Sequence, residues 1–366
     1  MSFELPPYPY DLLDPYRRIA AQHSGGVVDL SVGTPCDSPP IHAVHALAES
    51  DSERGYPSSV GSEEFRESCR KWVKRRFDVD LKIENNIAAC IGTKEFVVST
   101  PHFLRLRNPE KDTVLYPEVS YPSYAMGAEL SGCRAVPVRI DDDGQLLLQE
   151  LEQSDINRAL MLWVNYPSNP TGAVGDLESI ANWGRSHSIP VFSDECYAEF
   201  VWGQTPQTIL SKDLSGVVAV HSLSKRSNLA GVRAGFYAGD EDLVFWLKEI
   251  RKHSGKMIPG PVQAAASAAY SDDQHVEEQK QRYRERLDFL RSCFDSLNIK
   301  TEFPQGSFYL WVESEPDGSW ELVDRLASEI GVIVAPGTFF GSPNHIRVAA
   351  VQTLETLELI SDRLPG

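Results

Sequence analysis

The sequence predicts an α/β fold, with a large unit on a mostly parallel sheet and a smaller α+β unit after it. Three observations carry this. Through the middle of the chain, apolar runs alternate with helical patterns. The runs at 159–164 and 217–220 are almost unbroken, as in strands covered on both faces. Beyond them the pattern changes to one long amphipathic helix and short strand-like pieces.

The elements follow in order. The proline-rich opening to Pro40 reads as an arm or loop that takes its order from packing on other elements. Strand-like runs lie at 87–91, 113–116, 135–140, 160–165, 190–193, 217–222 and 234–238, rich in Val, Ile, Leu and Phe. Helical segments between them include 96–106 and 176–188. Over 272–297, Val276, Tyr283, Leu287, Leu290, Phe294 and Leu297 keep to one helix face. Glu277, Lys280, Arg284, Glu285 and Arg291 take the other. Strand-like pieces at 308–312, 332–335 and 345–349 surround a helix near 320–330. The expected division is a large unit over 41–274 and a small one from 1–40 plus 275–366.

Composition excludes several classes. The chain has 366 residues, 42% hydrophobic and 24% charged, which rules out a disordered or collagen-like chain. Its 35 basic and 52 acidic residues leave a net charge of −17. That argues against binding nucleic acid through phosphates and against docking on anionic membranes. No run approaches the roughly 20 apolar residues of a membrane span. The opening residues lack the basic and apolar layout of a signal peptide, so a cytoplasmic protein is expected. The six cysteines are scattered with no CxxC pair and read as reduced thiols, with no metal site among them.

Four segments place polar chemistry at predicted carboxyl ends of strands, where open α/β sheets bind ligands. In His221-Ser222-Leu223-Ser224-Lys225, a lysine follows an apolar strand. Desolvation and a nearby cation would lower its pKa and make it a nucleophile and base. Alone, it is more often a surface lysine. The hydroxyls before it and Arg233 eight residues later suit a phosphate. The turn 165–172 holds Asn169, which is a turn former or a ligand. Asp194 ends a buried strand, where a carboxylate needs a salt-bridge partner or a protonated ring nitrogen. Gly92-Thr93-Lys94 opens a helix whose free N–H groups suit an anion. A lysine, an aspartate, an asparagine and a phosphate cradle are the parts that pyridoxal phosphate needs.

On these residues the chain resembles the class I/II aminotransferases, the fold-type I pyridoxal-phosphate enzymes. The matching motifs run in the family's order: Asp29-Leu30-Ser31-Val32-Gly33-Thr34-Pro35, Gly55-Tyr56-Pro57, Gly92-Thr93-Lys94, Tyr121-Pro122-Ser123-Tyr124, Ser168-Asn169-Pro170-Thr171-Gly172, Asp194-Glu195-Cys196-Tyr197, Ser222-Leu223-Ser224-Lys225 and Arg347-Val348-Ala349. The resemblance implies a seven-stranded, mostly parallel sheet and pyridoxal 5′-phosphate as cofactor. It also implies a homodimer with shared active sites and a ping-pong exchange between amino acids and 2-oxo acids. Lys225 is then the lysine that binds the cofactor and moves the proton, and Asp194 pairs with the ring nitrogen. Asn169 and Tyr197 meet the 3′-oxygen, and Tyr121 stacks on the ring. Thr93 and Lys94 (through backbone), Ser222, Ser224 and Arg233 hold the phosphate, with Tyr56 reaching the phosphate of the neighbouring subunit. Arg347 holds the substrate carboxylate as a fork, beside Asn169 and the Gly33 backbone.

More narrowly, Ile250-Arg251-Lys252, the stretch 259–265 and the stretch 221–235 resemble the actinobacterial N-succinyldiaminopimelate aminotransferases. The implied reaction moves an amino group between glutamate and the 6-oxo acid of N-succinyl-LL-2,6-diaminopimelate, in lysine and diaminopimelate biosynthesis. Rivals of the same fold are a general aspartate or aromatic aminotransferase, a carbon–sulfur β-lyase and a decarboxylase. A DNA-binding regulator on this scaffold is disfavoured by the acidic charge and by the short opening before the sheet unit. Two departures bear on the pocket: Arg226 stands where a small hydroxyl residue is usual, and Tyr166 where a small residue is common. Arg17, Arg18, Arg54 and Lys256 are candidates for the far end of the substrate.

Overall fold

The computed structural model describes residues 7–314, 316 and 318–364. Seven strands form the large sheet. In spatial order they are Ile87–Cys90, Gly235–Gly239, Val217–Ser222, Val191–Asp194, Ala159–Asn165, Thr113–Pro117 and Arg134–Val138. Gly235–Gly239 runs antiparallel to both neighbours, and the other six share one direction. The three central strands are buried at every residue, which is why their sequence shows no alternation.

Side chains still alternate between the faces. Leu162 and Val164 join the core that includes Phe65, Trp72 and Phe236. Trp163 joins the opposite core, with Phe96, Phe192 and Tyr237. Helices Glu63–Phe77 and Gly260–Tyr270 cover the first face, and Thr93–Arg107 and Glu241–His253 the second.

A third core joins the two ends of the chain. It gathers Leu13, Ala20 and Leu30 with Leu287, Phe294, Leu310, Leu326 and Ile346. It is built on a three-stranded antiparallel sheet of Ala335–Pro336, His345–Ala349 and Tyr309–Glu313, and on a parallel pair of Val28–Asp29 with Val332–Ile333. The helix Gln274–Ser296 presents the expected apolar face, but its two halves serve different cores. Val276 and Tyr283 pack with Tyr197 and Phe308, while Leu287, Leu290 and Phe294 fill the third core.

Three expectations are corrected. The opening is not a bare arm or loop: Pro9–Leu13 is a 3-10 turn, Asp14–Ala20 a helix and Val28–Asp29 a strand. Prolines at the first helical positions preset the backbone, and Leu13, Ala20 and Val28 are buried. Residues 1–6 of that segment lie outside the described part. The expected strand to Ile140 ends at Val138, and Ile140 bridges back to Leu146 instead. The run 332–335 divides into two strands with different partners. No helix among the described residues is long and apolar enough to cross a membrane.

Candidate active site

Strand direction brings the predicted residues to one sheet edge. Asn165 is in register with Asp194, while Cys90 and Ser222 are both in register with Gly235. Because its strand alone runs the other way, Gly235 enters at that edge, and Arg233 comes with it.

At the end of its strand, Ser222 caps the short helix Leu223–Arg226. Its Oγ accepts from the Ser224 N–H at 3.1 Å and donates to Ser224 Oγ at 3.0 Å. The turn carries Lys225 off the sheet, and its Nζ donates to the Gly33 carbonyl. Burial lowers the amine pKa from 10.5 to about 8, and the Arg347 and Arg233 cations act in the same direction. Gly33 is under steric constraint: a Cβ there would lie 2.0 Å from the Tyr309 hydroxyl.

Asp194 is buried at the next strand end. Its Oδ2 accepts from the Tyr124 hydroxyl at 3.1 Å and its Oδ1 from the Cys196 N–H at 3.3 Å. Burial pushes its carboxyl pKa up, against those hydrogen bonds and the nearby Lys225 charge. Among the described residues it forms no ion pair, which leaves it open to a protonated ring nitrogen.

The anion end lies at Gly92, which has φ 76° and opens the helix Thr93–Arg107 without a side-chain cap. The Arg233 guanidinium lies against it so closely that a Cβ on Gly92 would sit 2.6 Å from Nη2. Free N–H groups, an arginine and two hydroxyls thus share one edge. The positions fit pyridoxal 5′-phosphate: the anion cradle suits its phosphate, Asp194 its ring nitrogen and Lys225 its aldehyde.

On the opposite side, Arg347 is buried between two aromatic rings, its Cζ 4.4 Å from the centroids of both Tyr309 and Phe340. Nη1 donates to Asn169 Oδ1 at 2.7 Å, and Nη2 donates to the Ser31 carbonyl at 2.6 Å and the Tyr10 hydroxyl at 3.2 Å. Tyr197 hydrogen-bonds the Tyr309 hydroxyl at 2.9 Å. Tyr121 is half-buried, and the Lys94 ammonium lies 5.8 Å from its ring centroid.

Other predicted residues lie elsewhere. Tyr56 is 99% exposed and outside this cluster. Arg226 turns away into a buried site, where Nε donates to Glu199 Oε2 at 2.6 Å and Nη1 to the Ala269 carbonyl at 2.8 Å. Tyr166 also faces away from the arginine, its hydroxyl on the Gly144 carbonyl at 2.7 Å. Arg17 is paired with Asp29 and Asp14, and Lys256 with Glu95. Arg18 and Arg54 are exposed.

Sequence reasoning missed Tyr10, Tyr309 and Phe340, which are remote in the chain and carry no local signal. Tyr124 stands in the Tyr121-Pro122-Ser123-Tyr124 motif without a role; it is the second residue of the helix Ser123–Leu130, and its hydroxyl reaches Asp194. A second buried pair lies behind Asp194, with Glu195 Oε2 3.4 Å from His221 Nε2. Burial raises Glu195 to about 7 and lowers His221 to about 3. At mildly acidic pH both are neutral, with the proton on the carboxyl.

The chain is 37% identical to the 4-dedimethylamino-4-oxo-anhydrotetracycline transaminase OxyQ of Streptomyces rimosus, over 99% of each chain. It is 32% identical to the LL-diaminopimelate aminotransferase of Aquifex aeolicus, over 98% of this chain and 96% of the relative. Among solved structures, a probable N-succinyldiaminopimelate aminotransferase from Thermus thermophilus superposes with a TM-score of 0.86 at 29% identity, covering 97% of this chain and 98% of the other. The model of the family aminotransferase class I and II matches residues 25–364. With nearly the whole chain matched, the protein belongs to the class I and II aminotransferases, enzymes that use pyridoxal 5′-phosphate.

Proposed function

We propose that this aminotransferase exchanges the amino groups of glutamate and N-succinyl-LL-2,6-diaminopimelate with their oxo acids. The observation that carries the chemistry is Lys225, a half-buried lysine whose amine pKa is lowered to about 8, at the sheet edge that also holds Asp194. Lys225 Nζ takes the proton from the substrate α-carbon and returns it, its pKa being close to the working pH. Asp194 keeps a negative charge beside the ring nitrogen. Thr93, the Lys94 backbone, Ser222, Ser224 and Arg233 hold the phosphate, Tyr121 stacks on the ring, and Asn169 and Tyr197 orient the 3′-oxygen. Arg347 holds the α-carboxylate, with the Gly33 backbone beside it. When bound, pyridoxal 5′-phosphate supplies the electron sink for the bond that breaks.

The substrate assignment is supported by the diaminopimelate and N-succinyldiaminopimelate relatives. It is also supported by Lys94, whose ammonium forms no ion pair among the described residues and lies 5.6 Å from the Tyr8 ring centroid. A long substrate with two carboxylates beyond the one at Arg347 needs a further cation, and Lys94 offers one. Two further parts belong to this reading. One is the division into units at 41–274 and at 1–40 plus 275–366, supported by the separate third core. The other is a homodimer, supported by the full exposure of the Tyr56 ring, which would serve a second copy's phosphate.

A second reading, amination of a polycyclic ketone, is favoured by the Streptomyces rimosus relative. The aromatic row Tyr8, Tyr10, Phe339 and Trp320 at the carboxylate end also supports it. A half-reaction separates the two. The protein is loaded with pyridoxal phosphate, and loss of its yellow colour is followed with each donor alone. Fast bleaching by glutamate and N-succinyl-LL-diaminopimelate, with aspartate and phenylalanine slow, is expected. Bleaching by aromatic donors but not by the succinylated one would overturn the substrate assignment. Pyruvate released from cystathionine would make the protein a lyase.

A further inference from the structure

We propose that His42, Asp272 and His275 form a binding site for a divalent transition-metal ion, outside the active site. One ligand atom from each of the three lies within 4.8 Å of the others. His42 Nε2 is 4.0 Å from Asp272 Oδ2, and His275 Nδ1 is 2.5 Å from the same oxygen. The His42 nitrogen is shielded from water and has no hydrogen-bond partner among the described residues. A nitrogen left in that state loses hydration with no return, and a metal ion would restore a partner.

The other two groups are already oriented. His275 Nδ1–H donates to the Asp272 carboxylate, and Nε2 lies 2.9 Å from Ser227 Oγ; on metal binding the ring hydrogen would move to Nε2, where Ser227 Oγ can accept it, and Nδ1 would be freed. Asp272 accepts from the backbone N–H groups of Gln274 at 3.3 Å and His275 at 3.2 Å, which fixes its carboxylate at the helix start.

Two imidazoles and one carboxylate suit zinc, cobalt or nickel, whereas magnesium and calcium take oxygen ligands. Bonds of about 2.0–2.2 Å in a tetrahedron put ligand atoms roughly 3.4 Å apart. His275 and Asp272 would open by less than about 1 Å, and His42 would close by a similar step. All three residues are half-exposed, which leaves room for water as a fourth ligand.

The position gives the site a consequence. His42 is the second residue of the helix Ile41–Ala48, and His275 the second of Gln274–Ser296. These are the two places where the chain passes between the proposed units. Through Ser227 the site also touches the segment two residues beyond Lys225. A bound ion would therefore pin both passages and stiffen the protein.

The test uses the cofactor-loaded protein after chelator treatment and dialysis. Cobalt is titrated with visible absorption as the readout, and zinc by calorimetry. One ion per chain is expected, with the cobalt spectrum of nitrogen ligation and a higher thermal midpoint in zinc. His42→Ala should weaken binding by at least about tenfold while leaving the metal-free thermal midpoint almost unchanged. His275→Asn should weaken it as much. No stoichiometric binding, or binding that survives both substitutions, would overturn the proposal. Neither readout depends on the substrate assignment.

Discussion

Arg347 reaches across 178 residues of sequence to hold the Asn169 side-chain oxygen at 2.7 Å. One bond thus joins the carboxylate end of the site to the turn beside the cofactor position. The guanidinium is fixed by two rings, a carbonyl and this amide before any substrate arrives, so little ordering remains to be done on binding. Arg347→Lys keeps the charge and loses the planar fork. Its kcat/KM for glutamate should fall by about 100-fold, mostly through KM, with the fold intact by circular dichroism. An unchanged KM would remove Arg347 from carboxylate binding.

The Lys225 pKa carries a second prediction. An amine near 8 becomes a nucleophile about 2.5 pH units earlier than an ordinary lysine at 10.5. Capture of pyridoxal phosphate by the cofactor-free protein should therefore accelerate with a midpoint near pH 8, and Lys225→Ala should abolish it. Linkage has a definite sign. The folded amine holds fewer protons than the unfolded one between pH 8 and 10.5, so cofactor-free stability should rise with pH across that window. A capture midpoint near 10 would mean that the amine is not desolvated.

Tyr124 donates to Asp194, and Phe in its place removes a donor without changing the ring packing on Trp163. A hydrogen bond to a charged group is worth about 1.5–3 kcal/mol. Tyr124→Phe should therefore weaken cofactor retention by roughly 10- to 100-fold, measured by equilibrium dialysis. Retention equal to that of the parent would show that the hydroxyl is dispensable.

These residues also show what was legible beforehand. Lys225, Asp194, Asn169 and Arg233 stand beside strand ends, and strand ends are written in short apolar runs, so local pattern located them. Tyr10, Tyr309 and Phe340 meet Arg347 only after three separate segments have folded together, and no local pattern encodes that. The opening helix Asp14–Ala20 was hidden for a related reason: it is two turns long, too short for a period, and a remote core supplies its stability. Arg226 was misleading because sequence places it beside Lys225, whereas one helical step points it to the other side.

The Glu195–His221 pair predicts a stability profile. Glu195 binds its proton more tightly folded, at about 7 against 4.5, so its contribution is lost as pH rises from 4.5 to 7. His221 binds its proton less tightly folded, at about 3 against 6.5, so its contribution is lost as pH falls from 6.5 to 3. The two oppose each other from 4.5 to 6.5, where stability should be nearly flat. Glu195→Gln keeps an acceptor for the Ile209 N–H and supplies an amide donor toward His221. The variant should lose the decline toward pH 7, and with His221 alone the flat region should become a steady fall from pH 6.5 downward, as read from urea midpoints at pH 3 to 8. A decline toward pH 7 that persists would assign it to another group.

Arg226 separates a structural role from a role in the pocket. Its guanidinium is buried against Glu199, which also pairs with Arg76 at 3.0 Å and accepts from Trp72 Nε1 at 3.3 Å. It stacks near the Trp72 and Tyr270 rings, 5.5 and 5.1 Å from their centroids. Arg226→Ala removes one partner of a buried pair, a loss worth about 3–5 kcal/mol, and Arg76 should hold the cost near the lower figure. The urea midpoint should drop accordingly, while KM for glutamate stays within about twofold, since no Arg226 atom reaches the substrate carboxylate. A large rise in KM with unchanged stability would return Arg226 to the pocket.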